Sequence, residues 1–241
     1  MITALKADTN MIFKQLFDSE SSTYSYLLAD EQTGEALVID SVLDGSEELL
    51  SLLDQLGLRL AIAIDTHTHA DHITGMGSLR EKTGCITMMG HQSQAHCLSK
   101  TFTHGEQINL GSIQLEVIYS PGHTDDSYSF YLASEGMLFS GDTLLIGGTG
   151  RTDFQNGDPG IQYDSLHRRI LTLPDNTLLY PGHDYKGQSN STLGAEKISN
   201  PRLQMPDRQA YKELMNSLAL LNPKLMDIAV SANQACGKLA T

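Results

Sequence analysis

Cysteine is scarce. The chain has three in 241 residues, Cys85, Cys97 and Cys236, with no CxxC pair and no even framework. That pattern argues against a disulfide scaffold and fits a reducing compartment. Cys85, beside Ile86, reads as a small buried hydrophobe; Cys236, near the C-terminal end, reads as an exposed thiol with no role assigned. Long apolar runs are also missing, and none approaches the roughly 20 residues of a membrane span. Met1 to Asn10 hold one lysine, no arginine and no apolar core, the marks of neither a secretory signal nor a transit peptide. A cytoplasmic location is therefore the expectation. Basic residues are outnumbered, 16 against 29 acidic ones, for a net charge of −13. This disfavours nucleic acid, whose phosphates need a basic face. No GxGxxG sits on a strand–helix unit, so no dinucleotide site is expected. Repeats, low-complexity tracts and long linkers are absent as well.

What is present is an ordinary globular composition, 40% hydrophobic and 19% charged, with length for one large domain. The charge is uneven. Arg151 to Arg208 holds seven basic and seven acidic residues, so the negative excess lies outside that segment, and a small anion is least repelled within it. Strands are read at Met11-Ile12-Phe13, Tyr24 to Ala29 and Glu35 to Asp40. A helix follows from the hydroxyl cap Ser46, through Leu49, Leu50, Leu53 and Leu56, to Gly57. Next come a strand at Leu60 to Asp65, a helix from Ile73 to Lys82 ending at Gly84, and a strand at Cys85 to Met89. Ile113 to Tyr119 alternates as a half-buried strand. Tyr128 to Leu132 and Met137 to Ser140 form a hairpin around Glu135-Gly136. Asp164 to Leu173 is a helix stopped by Pro174, Leu178 to Tyr180 a last strand, and Pro206 to Leu221 a terminal helix with Tyr211, Leu214, Leu218 and Leu221 on one side. Two sets of strands, each followed by helices, imply an α/β domain with helices outside two packed sheets. The segment after about Lys186 reads as a short C-terminal extension over the site.

The densest chemistry lies at the turn after Leu60 to Asp65. Thr66-His67-Thr68-His69-Ala70-Asp71-His72 packs three imidazoles and a carboxylate into six positions, a ligand set suited to zinc or iron. Three later segments share one form, a strand end, a glycine and a ligand residue: Pro121-Gly122-His123, Ser140-Gly141-Asp142 and Pro181-Gly182-His183. One Gly-His pair alone is weak; four such strand ends in this order would aim their side chains at one sheet edge.

The order HxHxDH, GH, GD, GH resembles the metallo-β-lactamase superfamily. The resemblance implies the αββα four-layer sandwich, with residues 1–241 as a single domain and about 186–241 as the extension. In two-metal members the positions matching His67, His69 and His123 hold one metal, those matching Asp71, His72 and His183 the other, and that of Asp142 bridges them. The run Asp142 to Gln155, with Gly150-Arg151-Thr152-Asp153-Phe154 at its centre, is similar to the persulfide dioxygenases (sulfur dioxygenases) of that superfamily. So are Ala70 to Gly75, Pro181 to Tyr185, Asn200 to Leu203 and the tail Ala232 to Gly237, so that the likeness runs from Met11 to Gly237. Thr149 departs from the pattern, since some members have cysteine there.

This likeness implies a single Fe(II) per chain, held by His67, His123 and Asp142, with three positions left for persulfide sulfur, dioxygen or water. His69, Asp71, His72 and His183 would orient those ligands, His183 also serving catalysis. The implied reaction turns glutathione persulfide, O2 and water into glutathione and sulfite. Arg151 and Tyr185 match glutathione contacts of related thioester hydrolases, and Arg202 is a further candidate. Arg151 could instead pair with Asp153, and Tyr185 could be a plain wall residue. The alternative function is a hydroxyacylglutathione hydrolase with two metals, for which all seven ligand residues are present; its usual longer helical C-terminal domain is not matched by the fewer than sixty residues after His183. The expected partners are the persulfide and O2, with no nucleic acid or membrane and room left for a homodimer.

Overall fold

The computed structural model describes residues 10–223 and 225–238. The first half of the chain builds a six-stranded sheet. β1 (Met11–Asp18), β2 (Thr23–Asp30) and β3 (Glu35–Ile39) form an antiparallel meander. α1 (Ser46–Leu56) then leads to β4 (Arg59–Ile64), and α2 (Met76–Thr83) to β5 (Ile86–Gly90) and β6 (Lys100–Phe102), with β3 to β6 parallel. The second half mirrors this. β7 (Gln107–Leu110), β8 (Ile113–Tyr119), β9 (Tyr128–Leu132) and β10 (Met137–Gly141) are antiparallel; α3 (Pro159–Ser165) runs into a π-helical turn, Leu166–Ile170, before β11 (Leu178–Pro181) pairs parallel with β10. β12 (Ser191–Thr192) closes the order β12-β11-β10-β9-β8-β7. α4 (Leu193–Ser199), α5 (Arg208–Asn216) and α6 (Met226–Gln234) follow.

The period of two in β2 explains the layering. Tyr24, Tyr26 and Leu28 face inward and pack with Leu115, Val117, Phe130 and Phe139 of the opposite sheet. Leu27 and Ala29 face outward and are covered by Leu49 and Leu53 of α1 and Met76 and Leu79 of α2. Leu138 and Leu179 of the second sheet are covered by Leu166, Leu193 and Tyr211. Both faces of each sheet are thus buried, and the four layers are those of the αββα sandwich.

Several boundaries differ from the sequence reading. Gly45, not Ser46, caps α1, and Ser46 Oγ donates to the Val42 carbonyl. α2 starts at Met76 rather than Ile73, because Ile73 O accepts from Leu43 N and Gly75 N donates to Ser41 O. The helix expected from Asp164 begins at Pro159, under the cap of Asp158, whose carboxylate accepts from Ile161 N. The helix expected to reach Leu221 ends at Asn216, and Leu221 is 93% exposed. The short strands β6, β7 and β12 and the weakly amphipathic α6 are too brief to mark themselves by period.

The cysteine expectation is corrected. Cys236 is buried and forms a disulfide with Cys97, 139 residues earlier, their Cα atoms 5.9 Å apart. An odd count concealed one pair and one free, buried thiol, Cys85. Cysteine number in this chain therefore carries no sign of a reducing compartment. The segment after Lys186 also does more than cover the site: β12 extends the second sheet, and α4 and α5 complete its outer layer.

Candidate metal centre

The ligand-rich turn follows β4 and is pinned from several sides. Asp40 accepts from Thr66 N at 2.6 Å and from Thr66 Oγ1 at 2.9 Å. Asp126 accepts from Thr68 N and Thr68 Oγ1, and Gln155 Nε2 donates to Thr68 O at 2.5 Å. The second sheet supplies the rest: His123 after β8, Asp142 after β10, His183 after β11. Two glycines let these turns close. Gly122 has φ +133 and a Cβ there would collide with Gln162; a Cβ on Gly182 would stand 2.6 Å from Asp142 Oδ1.

His67, His123 and Asp142 converge, each offering one ligand atom within 4.8 Å of the others. Their hydrogen bonds orient them. Thr66 Oγ1 gives its proton to Asp40 and so accepts from His67 Nδ1–H at 2.9 Å. His123 Nδ1–H donates to Arg151 O at 2.7 Å, and its Nε2 faces Asp142 Oδ2 at 3.5 Å. Both rings therefore present Nε2 lone pairs. Burial, with His69 and His123 nearby, holds the His67 pKa well below its usual value, so the ring is neutral, the form that binds metal.

The remaining residues form a surrounding layer. His69 Nε2 meets Asp40 Oδ1 at 3.2 Å; burial opposes its charge, but Asp40 prevails and raises its pKa to about 9. His183 uses both nitrogens, Nδ1 to Asp142 Oδ1 at 2.7 Å and Nε2 to Asp71 Oδ2 at 2.8 Å. Burial works against its charged form, yet Asp142 and Asp71 outweigh burial and hold its pKa well above the ordinary value. Asp71 also accepts from His72 Nδ1 at 2.9 Å. His69, Asp71 and His72 form a second group within 4.8 Å. Buried His69 Nδ1 and His72 Nε2 have no hydrogen-bond partner among the described residues. The neutral His67 ring, the ionised Asp142 carboxylate and the orphaned Nε2 of His72, whose pKa burial lowers, fit a bound cation.

A cavity of about 780 Å³ opens over Asp71, His123, Asp142 and His183, within the range of small-molecule sites. Arg151 lies on its wall, bidentate to Asp153 at 2.6 and 2.7 Å and bonded to Leu221 O at 2.7 Å, so its charge is largely matched by the protein. Tyr185 stands at the rim, 72% exposed, its ring parallel to that of His183. Arg202 reaches the wall while donating to Thr149 O and Oγ1. Lys186, which the sequence reading passed over, also lines the cavity and makes no ion pair among the described residues. Its signal was its place in the segment of balanced charge. Asp40, Asp126 and Gln155 are likewise missed, since lone polar residues carry no spacing.

Residues 19–183 match the family described as Metallo-beta-lactamase superfamily. "Persulfide dioxygenase ETHE1, mitochondrial" of Mus musculus is 43% identical over 228 residues, 94% of this chain and 89% of that protein. The chain belongs to the persulfide dioxygenase family of the metallo-beta-lactamase superfamily. The crystal structure of ETHE1 from Myxococcus xanthus superposes on this member of the family with a TM-score of 0.91, at 48% identity, covering 94% of this chain and all of that one. The hydroxyacylglutathione hydrolase of Rhodospirillum rubrum is more distant, 30% identical over 90% of this chain and 88% of that protein.

Proposed function

We propose that this chain is a persulfide dioxygenase that converts glutathione persulfide, O2 and water into glutathione, sulfite and two protons, with one Fe(II) held by His67, His123 and Asp142. The observation that carries the reading is the convergence of those three ligand atoms within 4.8 Å while Asp40 engages His69 and two carboxylates engage both nitrogens of His183. Two histidines and one carboxylate on one face are the donor set of non-haem Fe(II) oxygenases. Bound there, ferrous iron supplies open positions at which persulfide sulfur and O2 can meet. The protein does the rest. Asp40, through Thr66, and the Arg151 carbonyl fix the ligand rings. His183 holds a proton between Asp71 and Asp142 and sets the angle of the Asp142 carboxylate. Tyr185, Lys186 and Arg151 line the approach for the anionic glutathione moiety, where Lys186 offers the unmatched cation.

The second metal-sized group, His69, Asp71 and His72, supports the hydrolase as the competing reading. Metal analysis of protein purified without oxygen, paired with O2 uptake on glutathione persulfide, separates the two. About one iron per chain and O2 consumption are expected. Two metals per chain with cleavage of glutathione thioesters, and no O2 uptake, would overturn the proposal.

A further inference from the structure

The C-terminal helix ends on a side chain that the chemistry above does not use. Asn233 is 2% exposed and lies outside the cavity wall. Its Nδ2 donates both protons to the ligand-bearing turn, to His69 O and His72 O at 2.9 Å each, and its Oδ1 accepts from Thr74 N at 2.9 Å. One amide thereby satisfies three backbone groups of residues that are themselves buried. An apolar residue would leave those groups unpaired.

The two carbonyls bracket Asp71. From Asp71 the hydrogen bonds run to His183 Nε2 at 2.8 Å and from His183 Nδ1 to Asp142 at 2.7 Å. Asn233 therefore reaches Asp142 through Asp71 and His183, without touching the cavity. The seat of Asn233 has little slack. Gly77 N donates to Cys236 O at 3.1 Å and His96 N to Gln234 O at 3.0 Å. A Cβ on Gly77 would collide with the Cys236 carbonyl, and one on Gly237 with the Thr74 carbonyl. The Cys97–Cys236 disulfide ties the same segment covalently to the loop between β5 and β6.

We propose that Asn233 is a positioning residue for the metal centre, setting the backbone around Asp71 and hence the Asp71–His183–Asp142 chain, with the Cys97–Cys236 disulfide as its latch. The inference rests on the metal-centre reading above. It is tested with Asn233→Asp, which keeps the acceptor for Thr74 N but turns a carboxylate toward two carbonyls, and with Asn233→Ala. Ala229→Gly, in the same helix and without these bonds, controls for lost stability. Amide hydrogen exchange over residues 69–75 should accelerate in both Asn233 variants. Affinity for Fe(II), read as release to a competing chelator, should fall by about 10–100-fold, the usual effect of losing a group that orients a ligand, and the electron paramagnetic resonance spectrum of the ferrous nitrosyl adduct should change. Cys97→Ser should act in the same direction, less strongly. Wild-type exchange and release in Asn233→Asp, or equal effects from Ala229→Gly at matched melting temperature, overturns the proposal. Neither exchange nor release needs turnover, so a protein that split thioesters would refute the function while leaving this test intact.

Discussion

At the scale of residues, His183 is the hinge of the site's electrostatics. It stands between Asp142 and Asp71, both of whose pKa values lie well below the carboxylate norm: burial raises them, and His183, joined by His72 at Asp71 and by His123 and His67 at Asp142, more than reverses it. In protein stripped of metal by a chelator, the sign of the pH dependence follows. A raised histidine pKa gives stability that is complete below its unfolded value, about 6.5, and is lost as pH climbs through the folded value. The depressed carboxylates give stability that is complete above their unfolded value, about 3.9, and is lost as pH falls through the folded ones. Differential scanning calorimetry of the stripped protein should therefore show a melting temperature that declines on the alkaline side of about pH 6.5. His69, whose pKa Asp40 raises to about 9 against burial, adds a decline of the same sign, so His183→Asn should lessen the slope without abolishing it; an unchanged slope would show that His183 is not a group responsible. That the strand ends carrying His67, His123 and Asp142 meet at one edge was legible in the sequence, because each follows a strand and His123 and Asp142 a glycine as well; the choice of these three among the seven candidate ligands came only from the resemblance to the persulfide dioxygenases. Asn233 and Lys186 were not, because a single polar residue becomes informative only when its contacts are known.

At the scale of elements, α3 acts as a wall for the turn that carries His123. Asp158 N donates to Gly122 O at 2.9 Å, and Gln162 packs against Gly122. Asp158→Ala should cost about 1 kcal/mol of stability through loss of the helix cap, measurable by urea unfolding, and should also loosen the His123 turn. A variant with wild-type unfolding and raised exchange at 121–124 would separate these two effects and show the cap to be dispensable. Sequence reading placed this helix too late because its apolar period becomes clear only after Asp164, whereas the start is written in the Asp158-Pro159 pair. The strands with one clear face, such as β8 with Ile113, Leu115 and Val117 buried, were read correctly. β2 alternates between two buried layers, so its burial could not be seen from polarity, only its β-prone composition. α5 was overextended since its leucine spacing continues past Asn216, where the chain in fact leaves the helix and residues 220–223 turn to the cavity.

At the scale of the whole molecule, the long-range tie between Cys97 and Cys236 closes a loop that contains β6 and every element from β7 to α6. Restricting so long a loop in the unfolded chain is worth about 5 kcal/mol in the chain-entropy account, and removal of a native disulfide commonly costs about 2–5 kcal/mol. Cys97→Ser should thus lower the denaturant midpoint by a corresponding amount relative to oxidised wild type, and reduced wild type should match the variant. The layer order itself was legible from the two blocks of strands and helices; the disulfide was not, since 139 residues of separation leave no spacing to read. The two sheets also contribute differently to the centre: His67 comes from the end of β4 in one, and His123 and Asp142 from the ends of β8 and β10 in the other. An ion held by all three acts as a rivet across the seam between the halves. Occupancy and cohesion are then reciprocal: whatever free energy the ion gains from the closed seam, the seam gains from the ion. A defect in the apolar interior that loosens the seam, even far from the ligands, should therefore also weaken the hold on the metal.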